Sequence, residues 1–389
     1  MKKIFIDHSS TTKVDDDIVK EMIPYFTTYY GNPSSIHSFG REANEAVDLS
    51  RKRIASLLNC DEDEIIFTAG GTESDNIAIK GVALKNLDKI GTKGPHIISS
   101  EIEHPAVLQT CKYLEKQGFV VQYLPVDSYG IVDVDELRQS ITDNTFLISI
   151  MFANNEIGTI EPVEEIGAIA HKHNILFHSD AVQAVGKIPI DVKKLNINLL
   201  SLSSHKMYGP KGVGALSIQK GVSLESIMHG GGHEKGLRSS TLNVPGIVGL
   251  GKACELAKMR MNDDIRYLKN LQTLLINNVL TIEESYLNGH PEKRLVNNAH
   301  FRFTGVEGES MLLAMDAKGI ATSTGSACSS KKLQASHVLT AIGLDAEKAH
   351  GSIRLSIGRD NTKEEINYIS TSLMQVVNKL RQMSPLWNR

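Results

Sequence analysis

A chain of 389 residues, 41% hydrophobic and 22% charged, has the balance of a soluble globular protein long enough for more than one domain. Its formal charge of -3 shows no basic excess, so neither nucleic acid nor a membrane is expected as a partner, and no stretch reaches the roughly 18 apolar residues of a membrane span. Ile4, Phe5 and Ile6 run straight into Asp7, too short an apolar core for a signal peptide, which points to the cytoplasm.

In chain order, a polar loop around Ser9 to Thr12 precedes a helical region from Asp15 to Tyr30, which Gly31-Asn32-Pro33-Ser34-Ser35 breaks. A second helix is predicted from Arg41 to Leu58. The strand Ile65 to Thr68 then turns at Gly70-Gly71 into a helix whose capping box is predicted from Thr72 and Asp75. Strands at Ile97 to Ser99, Phe119 to Leu124, Phe146 to Phe152, Ile175 to Ser179 and Leu199 to Ser203 alternate with helices at Pro105 to Gln117, Asp133 to Ser140 and Val163 to His173. Such alternation argues an α/β fold with a mostly parallel sheet, in which ligands gather at the carboxyl ends of the strands.

Beyond Leu216 the pattern changes. A glycine-rich loop at His229 to His233 leads into a long helix from Val244 to about Thr281, within which a domain boundary is expected. The expected division is 16–261 for a large domain, with 1–15 and 262–389 forming a smaller α+β domain. That smaller part holds strand Ala299 to Phe303, helix Gly308 to Lys318, strand Ser352 to Ile357 and a last amphipathic helix capped by Thr362 and Glu365.

Four features would meet if the strand ends converge. Gly70-Gly71-Thr72 opens a helix whose N–H groups suit a phosphate. His104 opens another helix at a strand end, where an imidazole can stack on a planar group or move a proton. Asp180 ends an apolar strand, where a carboxylate needs a cationic partner or serves as a turn cap. Lys206 follows the strand ending at Ser203 and neighbours His205; a desolvated lysine there suits Schiff-base chemistry, although a solvated turn also fits.

Lys206 with Asp180 is the pairing that pyridoxal phosphate requires. Cys328 lies among small polar residues with Lys331 and Lys332 following, a setting for a reactive thiol rather than a packed one. Cys60, Cys111 and Cys254 read as packing residues, and the four cysteines form no CxxC pair, so no zinc site or disulfide framework is expected. Arg354 interrupts a strand, either to clamp a carboxylate or to form a structural ion pair, and Asn155 sits at a further strand end. No P-loop, strand-coupled GxGxxG or HExxH motif competes, and no metal is expected.

Together, Asp7 to Thr12, Gly31 to Ser35, Gly71 to Asn76, Glu103-His104, Asn154 to Gly158, Asp180 to Gln183, Ser203 to Lys206, Gly230 to Thr241, Gly325 to Cys328 and Arg354 resemble the NifS/IscS-type cysteine desulfurases over nearly the whole chain. That family implies fold type I, the aspartate aminotransferase-like architecture: a large domain on a mostly parallel seven-stranded sheet binding pyridoxal 5'-phosphate, plus a smaller α+β domain carrying the catalytic cysteine.

The resemblance implies Lys206 as the cofactor's lysine, Asp180 as partner of its ring nitrogen, Gln183 as donor to its ring oxygen and His104 as stacking and acid/base residue. Gly71, Thr72, Ser203 and His205 would hold its phosphate, with Thr241 from a second subunit of a homodimer. Asn155 and Arg354 would bind the substrate carboxylate, and Cys328 would accept sulfur from L-cysteine for an iron-sulfur scaffold or another acceptor. His8, Ser204 and Ser240 depart from the family's usual tyrosine and glycines. Rival readings are a selenocysteine lyase, another fold type I aminotransferase, or a sulfur-carrier scaffold without catalysis.

Overall fold

The computed structural model describes residues 3–87, 94–324, 335–385 and 387. Strands run in chain order as β1 (Ile4–Phe5), β2 (Ile65–Thr68), β3 (His96–Ser100), β4 (Val120–Leu124), β5 (Thr145–Ser149), β6 (Leu176–Asp180), β7 (Leu199–Ser203), β8 (Gly214–Ile218), β9 (Ser285–Asn288), β10 (Asn298–Phe303), β11 (Ile320–Ala321) and β12 (Ser352–Ser356). Seven of them form one sheet in the order β2-β8-β7-β6-β5-β3-β4. Within it β8 is antiparallel to both neighbours, and the other contacts are parallel.

Every residue of β3, β7 and β8 is buried. That is why β7, and β3 after His96, read as unbroken runs of apolar and small residues rather than as alternating ones. Parallel register carries the carboxyl ends of β3, β5, β6 and β7 to a single sheet edge, and β2, two antiparallel steps from β7, ends there too. The loops starting at Ala69, Glu101, Ile150, Ala181 and Ser204 therefore leave from the same side.

A second core gathers Ile4, Ile6, Phe301, Met311, Ile353, Ile366 and Leu373. It covers the antiparallel sheet β12-β10-β9 and the short parallel pair β1-β11. The Val244–Val279 helix belongs to both cores: side chains up to Met261 pack in the first, and Leu268, Leu271, Leu275 and Val279 pack in the second. The final helix, Lys363–Met383, begins with the capping box of Thr362 and Glu365 that its sequence signals.

Three local expectations give way. The Asp15 to Tyr30 region is two short helices, Asp16–Met22 and Pro24–Thr27, since Pro24 has no N–H to continue the first. The Gly71–Leu84 helix has Gly70 at its N-cap with no side-chain cap, because Asp75 points into the core at 1% exposure while Thr72 is exposed. Strand β8, a five-residue strand that begins two residues after the Gly209-Pro210-Lys211-Gly212 turn, has no counterpart among the elements read from the residues.

The Val244–Val279 helix meets the Ser38–Leu58 helix through Gly251, where an added Cβ would lie 2.6 Å from Ser50 Cβ and 2.7 Å from its Cα. Alanine is favoured in a helix by about 1 kcal/mol. Here backbone stands in the way, and the helices must separate. Gly251→Ala should therefore destabilise the protein by about 1–3 kcal/mol, read from its urea midpoint, and a raised midpoint contradicts this close approach.

Candidate active site

The Ser204–Lys206 turn follows β7 directly and carries Lys206 Nζ back over the sheet edge. There Nζ donates to Ser9 O at 2.6 Å and to Ser10 O at 2.8 Å. Gln183 Nε2 also donates to Ser9 O, at 2.9 Å, so the side chains after β6 and β7 converge on one carbonyl. His205 Nδ1 lies 3.1 Å from Thr11 Oγ1, and burial with the charges of Lys206, Lys211 and Lys187 pulls its pKa down to about 4.

Asp180 ends β6 and is 6% exposed. Its Oδ1 accepts from Val182 N at 2.9 Å. Burial raises the carboxyl above its usual range, while His104, the Val182 N–H and Lys206 act to lower it. Beneath it lie Asp75 and Glu103, both fully buried and both pushed well up by desolvation. His178 completes this floor: its Nδ1 meets Ser149 Oγ at 2.9 Å, and its Nε2 meets Ser201 Oγ at 3.0 Å and Asp75 Oδ1 at 3.6 Å.

His104 caps the Pro105–Glu115 helix, with Nδ1 accepting from Ala106 N at 3.1 Å. The proton of the neutral ring is then on Nε2. Burial holds its pKa down, opposed by Asp180 and assisted by Lys206 and His337.

Gly71, Thr72, Ser203 and His205 line an open cleft of about 480 Å³ together with Gly70 and Lys211. Gly70 has φ 155°, a conformation reserved for glycine, and a Cβ on Gly71 would lie 2.6 Å from Val182 Cγ2. Among the described residues no acceptor meets the N–H groups of Gly71, Thr72 and Glu73. Uncapped amides, hydroxyls and the Lys211 ammonium on one cleft suit an anion.

Arg354, 2% exposed on β12, spans the N-terminal segment and the loop after β5. Nη2 donates to Asp7 Oδ1 at 2.8 Å and to Ser10 Oγ at 2.7 Å, Nη1 donates to Asn155 O at 2.8 Å, and Nε is buried without a partner among the described residues. The ion pair left open by the sequence is thus made, with Asp7. Arg354 N also donates to Ser323 O at 2.6 Å, while Ser336 Oγ donates to Glu156. The chain therefore leaves and rejoins the described structure at the Asn155, Glu156 and Arg354 node.

Cys328, with Gly325, Lys331 and Lys332, lies outside the described residues. Thr241 is exposed and does not line the cleft. Sequence reasoning passed over Lys187, whose Nζ donates to Gln183 O at 3.0 Å; burial and the Lys206 charge lower its pKa to about 7. In the turn Gly186-Lys187-Ile188-Pro189 it looks like an ordinary solvated lysine.

A model of the aminotransferase class-V family matches residues 4–369. This chain belongs to the aminotransferase class-V family. One family relative, a protein from Methanosarcina thermophila named cysteine desulfurase IscS, is 56% identical over 385 residues, covering 99% of this chain and 94% of its own. A solved NifS-like protein superposes with a TM-score of 0.90 at 39% identity, covering 97% of this chain and all of its own. A structure of SspA in complex with cysteine matches with a TM-score of 0.80 at 37% identity, covering 92% of this chain and 99% of its own. The class-V chain has the fold type I architecture that its motifs imply.

The buried floor generates a pH prediction. Burial lowers the His178 pKa to about 3 from an ordinary 6.5, so between these values the unfolded chain binds the extra proton. Stability that is complete above pH 6.5 is lost as pH falls toward 3. His178→Gln should make this acid-side loss shallower by up to about 1.4 kcal/mol per pH unit, measured by denaturant titration between pH 6.5 and 4. Parallel pH profiles for the two proteins would contradict a neutral His178.

Proposed function

We propose that this chain is a pyridoxal-5'-phosphate-dependent cysteine desulfurase that converts L-cysteine to L-alanine and leaves the sulfur as a persulfide on Cys328. The observation carrying this reading is the convergence of Lys206 and Gln183 on the Ser9 carbonyl beside the buried Asp180 and the uncapped Gly71–Leu84 helix. The cysteine desulfurase names of its relatives and the cysteine bound in the SspA structure support the substrate.

The residues present fit the cofactor. Glycine backbone and hydroxyl, imidazole and amide donors on one cleft suit a phosphate, and a buried carboxylate with a raised pKa calls for a cationic ring nitrogen. When bound, pyridoxal phosphate supplies an electron sink for a carbanion beside the substrate's amine. Lys206 would hold the cofactor's carbonyl carbon, Asp180 its ring nitrogen, Gln183 its ring oxygen, and Thr72, Ser203 and His205 its phosphate. His104 presents its proton at Nε2, the nitrogen not bonded to Ala106.

Arg354 is already oriented by Asp7, Ser10 and Asn155, so it meets a substrate carboxylate with little rotamer entropy left to lose. At the reacting sulfur the Cβ–S bond of cysteine breaks, an S–S bond to Cys328 Sγ forms, and a proton reaches Cβ to complete alanine. The persulfide sulfur then passes to an acceptor protein, an iron-sulfur scaffold or a tRNA-thiolation partner.

The working unit in this reading is a homodimer. Phe26, Tyr30 and Ile36 are 62%, 66% and 92% exposed, and the Tyr30 and Phe39 rings lie 5.7 Å apart. An apolar surface of this kind calls for a covering partner. Exposed Thr241 would then serve the cleft of the second subunit. Sedimentation should give the mass of two chains, and Ile36→Asp with Tyr30→Asp should shift the protein toward single chains; a wild type that sediments as one chain contradicts the dimer.

Alanine formation tests the function. Cys328→Ser should lower alanine released from L-cysteine at least 100-fold while leaving cofactor uptake intact. Full alanine production by that variant would instead indicate an aminotransferase or lyase that needs no thiol. Borohydride should fix the cofactor to the wild type and not to Lys206→Ala, and a wild type that fixes none defeats the enzyme reading.

A further inference from the structure

Lys187 is a half-buried lysine that makes no ion pair among the described residues. Its Nζ donates to Gln183 O at 3.0 Å and, more weakly, to Gln183 Oε1 at 3.4 Å. Among the described residues nothing else accepts from it. A lysine kept in so desolvated a place without a carboxylate is costly unless it serves its neighbour.

Gln183 is that neighbour, and its amide has two unlike ends. Nε2 donates to Ser9 O at 2.9 Å while Oε1 faces Lys187. While Lys187 is an ammonium, turning the amide over would set its N–H groups against the Nζ–H of Lys187 and its C=O against the Ser9 carbonyl. Both contacts would then be repulsive. Lys187 and the Ser9 carbonyl thus select the same orientation, the one that keeps the amide nitrogen, with its second N–H, on the side of Lys206.

We propose that Lys187 is a positioning residue that acts through Gln183, fixing its amide so that nitrogen rather than oxygen is presented to the cofactor's ring oxygen. The role rests on the reading of the cleft as a pyridoxal-phosphate site. Lys187 is not among the residues that line the cleft with Thr72, Ser203 and His205. It decides which end of Gln183 faces the cofactor.

The test compares Lys187→Met, Lys187→Arg, Gln183→Ala and the Lys187→Met/Gln183→Ala double variant as reconstituted holoenzymes. Two readouts are followed: the dissociation constant for pyridoxal phosphate, and the pH midpoint at which the bound cofactor's visible absorption band changes. Lys187→Met should weaken cofactor binding about tenfold and displace the midpoint in the direction that Gln183→Ala does. Lys187→Arg, which keeps a donor toward Oε1, should restore most of both.

In the double variant, removing Lys187 should change nothing further once Gln183 is gone. Additive effects, or wild-type affinity and spectrum in Lys187→Met, overturn the positioning role. Melting of the cofactor-free forms checks folding, and Lys187→Ala carries the same comparison if the methionine variant does not fold. A wild-type protein that takes up no pyridoxal phosphate overturns the reading of the cleft itself, whereas one that binds it and is indifferent to Lys187 overturns only the inference.

Discussion

Two adjacent backbone carbonyls, those of Ser9 and Ser10, tie the two cores of this protein together at the sheet edge. Lys206 donates to both, Gln183 donates to the first, and Arg354 reaches the Ser10 hydroxyl from the other core. The segment is held at its other end by Ile4 and Ile6, which are buried with Phe301 and Ile353. One short stretch of backbone therefore sets where a lysine from the turn after β7, an amide from the turn after β6 and a guanidinium from β12 stand relative to one another. A partly desolvated amine needs such acceptors, and the ones it finds here also position its neighbours.

The same edge is polarised along its length. Lys211 and an uncapped helix start line the cleft, while Asp180, Asp75 and Glu103 are buried. A ligand anionic at one end and cationic at the other is the complement of that field. The acids are costly where they lie, and His178 does not neutralise them, since its own burial keeps it uncharged. Burial pushes the Asp75 and Glu103 carboxyls well up, so the floor is not one of paired charges.

Much of this was legible in the chain because buried parallel strands end abruptly. Asp180 and Lys206 stand out as charges at or just past the ends of strand-like segments, and Gly70-Gly71 marks a turn whose φ of 155° at Gly70 favours glycine. Capping rules failed at Thr72 and Asp75 for a physical reason: the helix start faces a cleft, so the local rule is overridden by the pull of Asp75 into the core. Strand β8 was missed because five residues between a glycine turn and Gln219 carry too little pattern, and only pairing with both β2 and β7 defines it. Lys187 was invisible for a different reason, since its neighbour Gln183 becomes meaningful only once β6 places it over Ser9.

The destination of the substrate sulfur is the point on which the functional reading stands. It can be followed directly by incubating the holoenzyme with L-cysteine carrying a heavy sulfur isotope, alkylating, and locating the label by peptide mass spectrometry. Heavy sulfur should appear as a persulfide on the Cys328 peptide and be missing from Cys60, Cys111 and Cys254, the last two of which are fully enclosed by the core. Label on one of those three, or alanine formed with no labelled cysteine at all, would contradict a persulfide mechanism at Cys328.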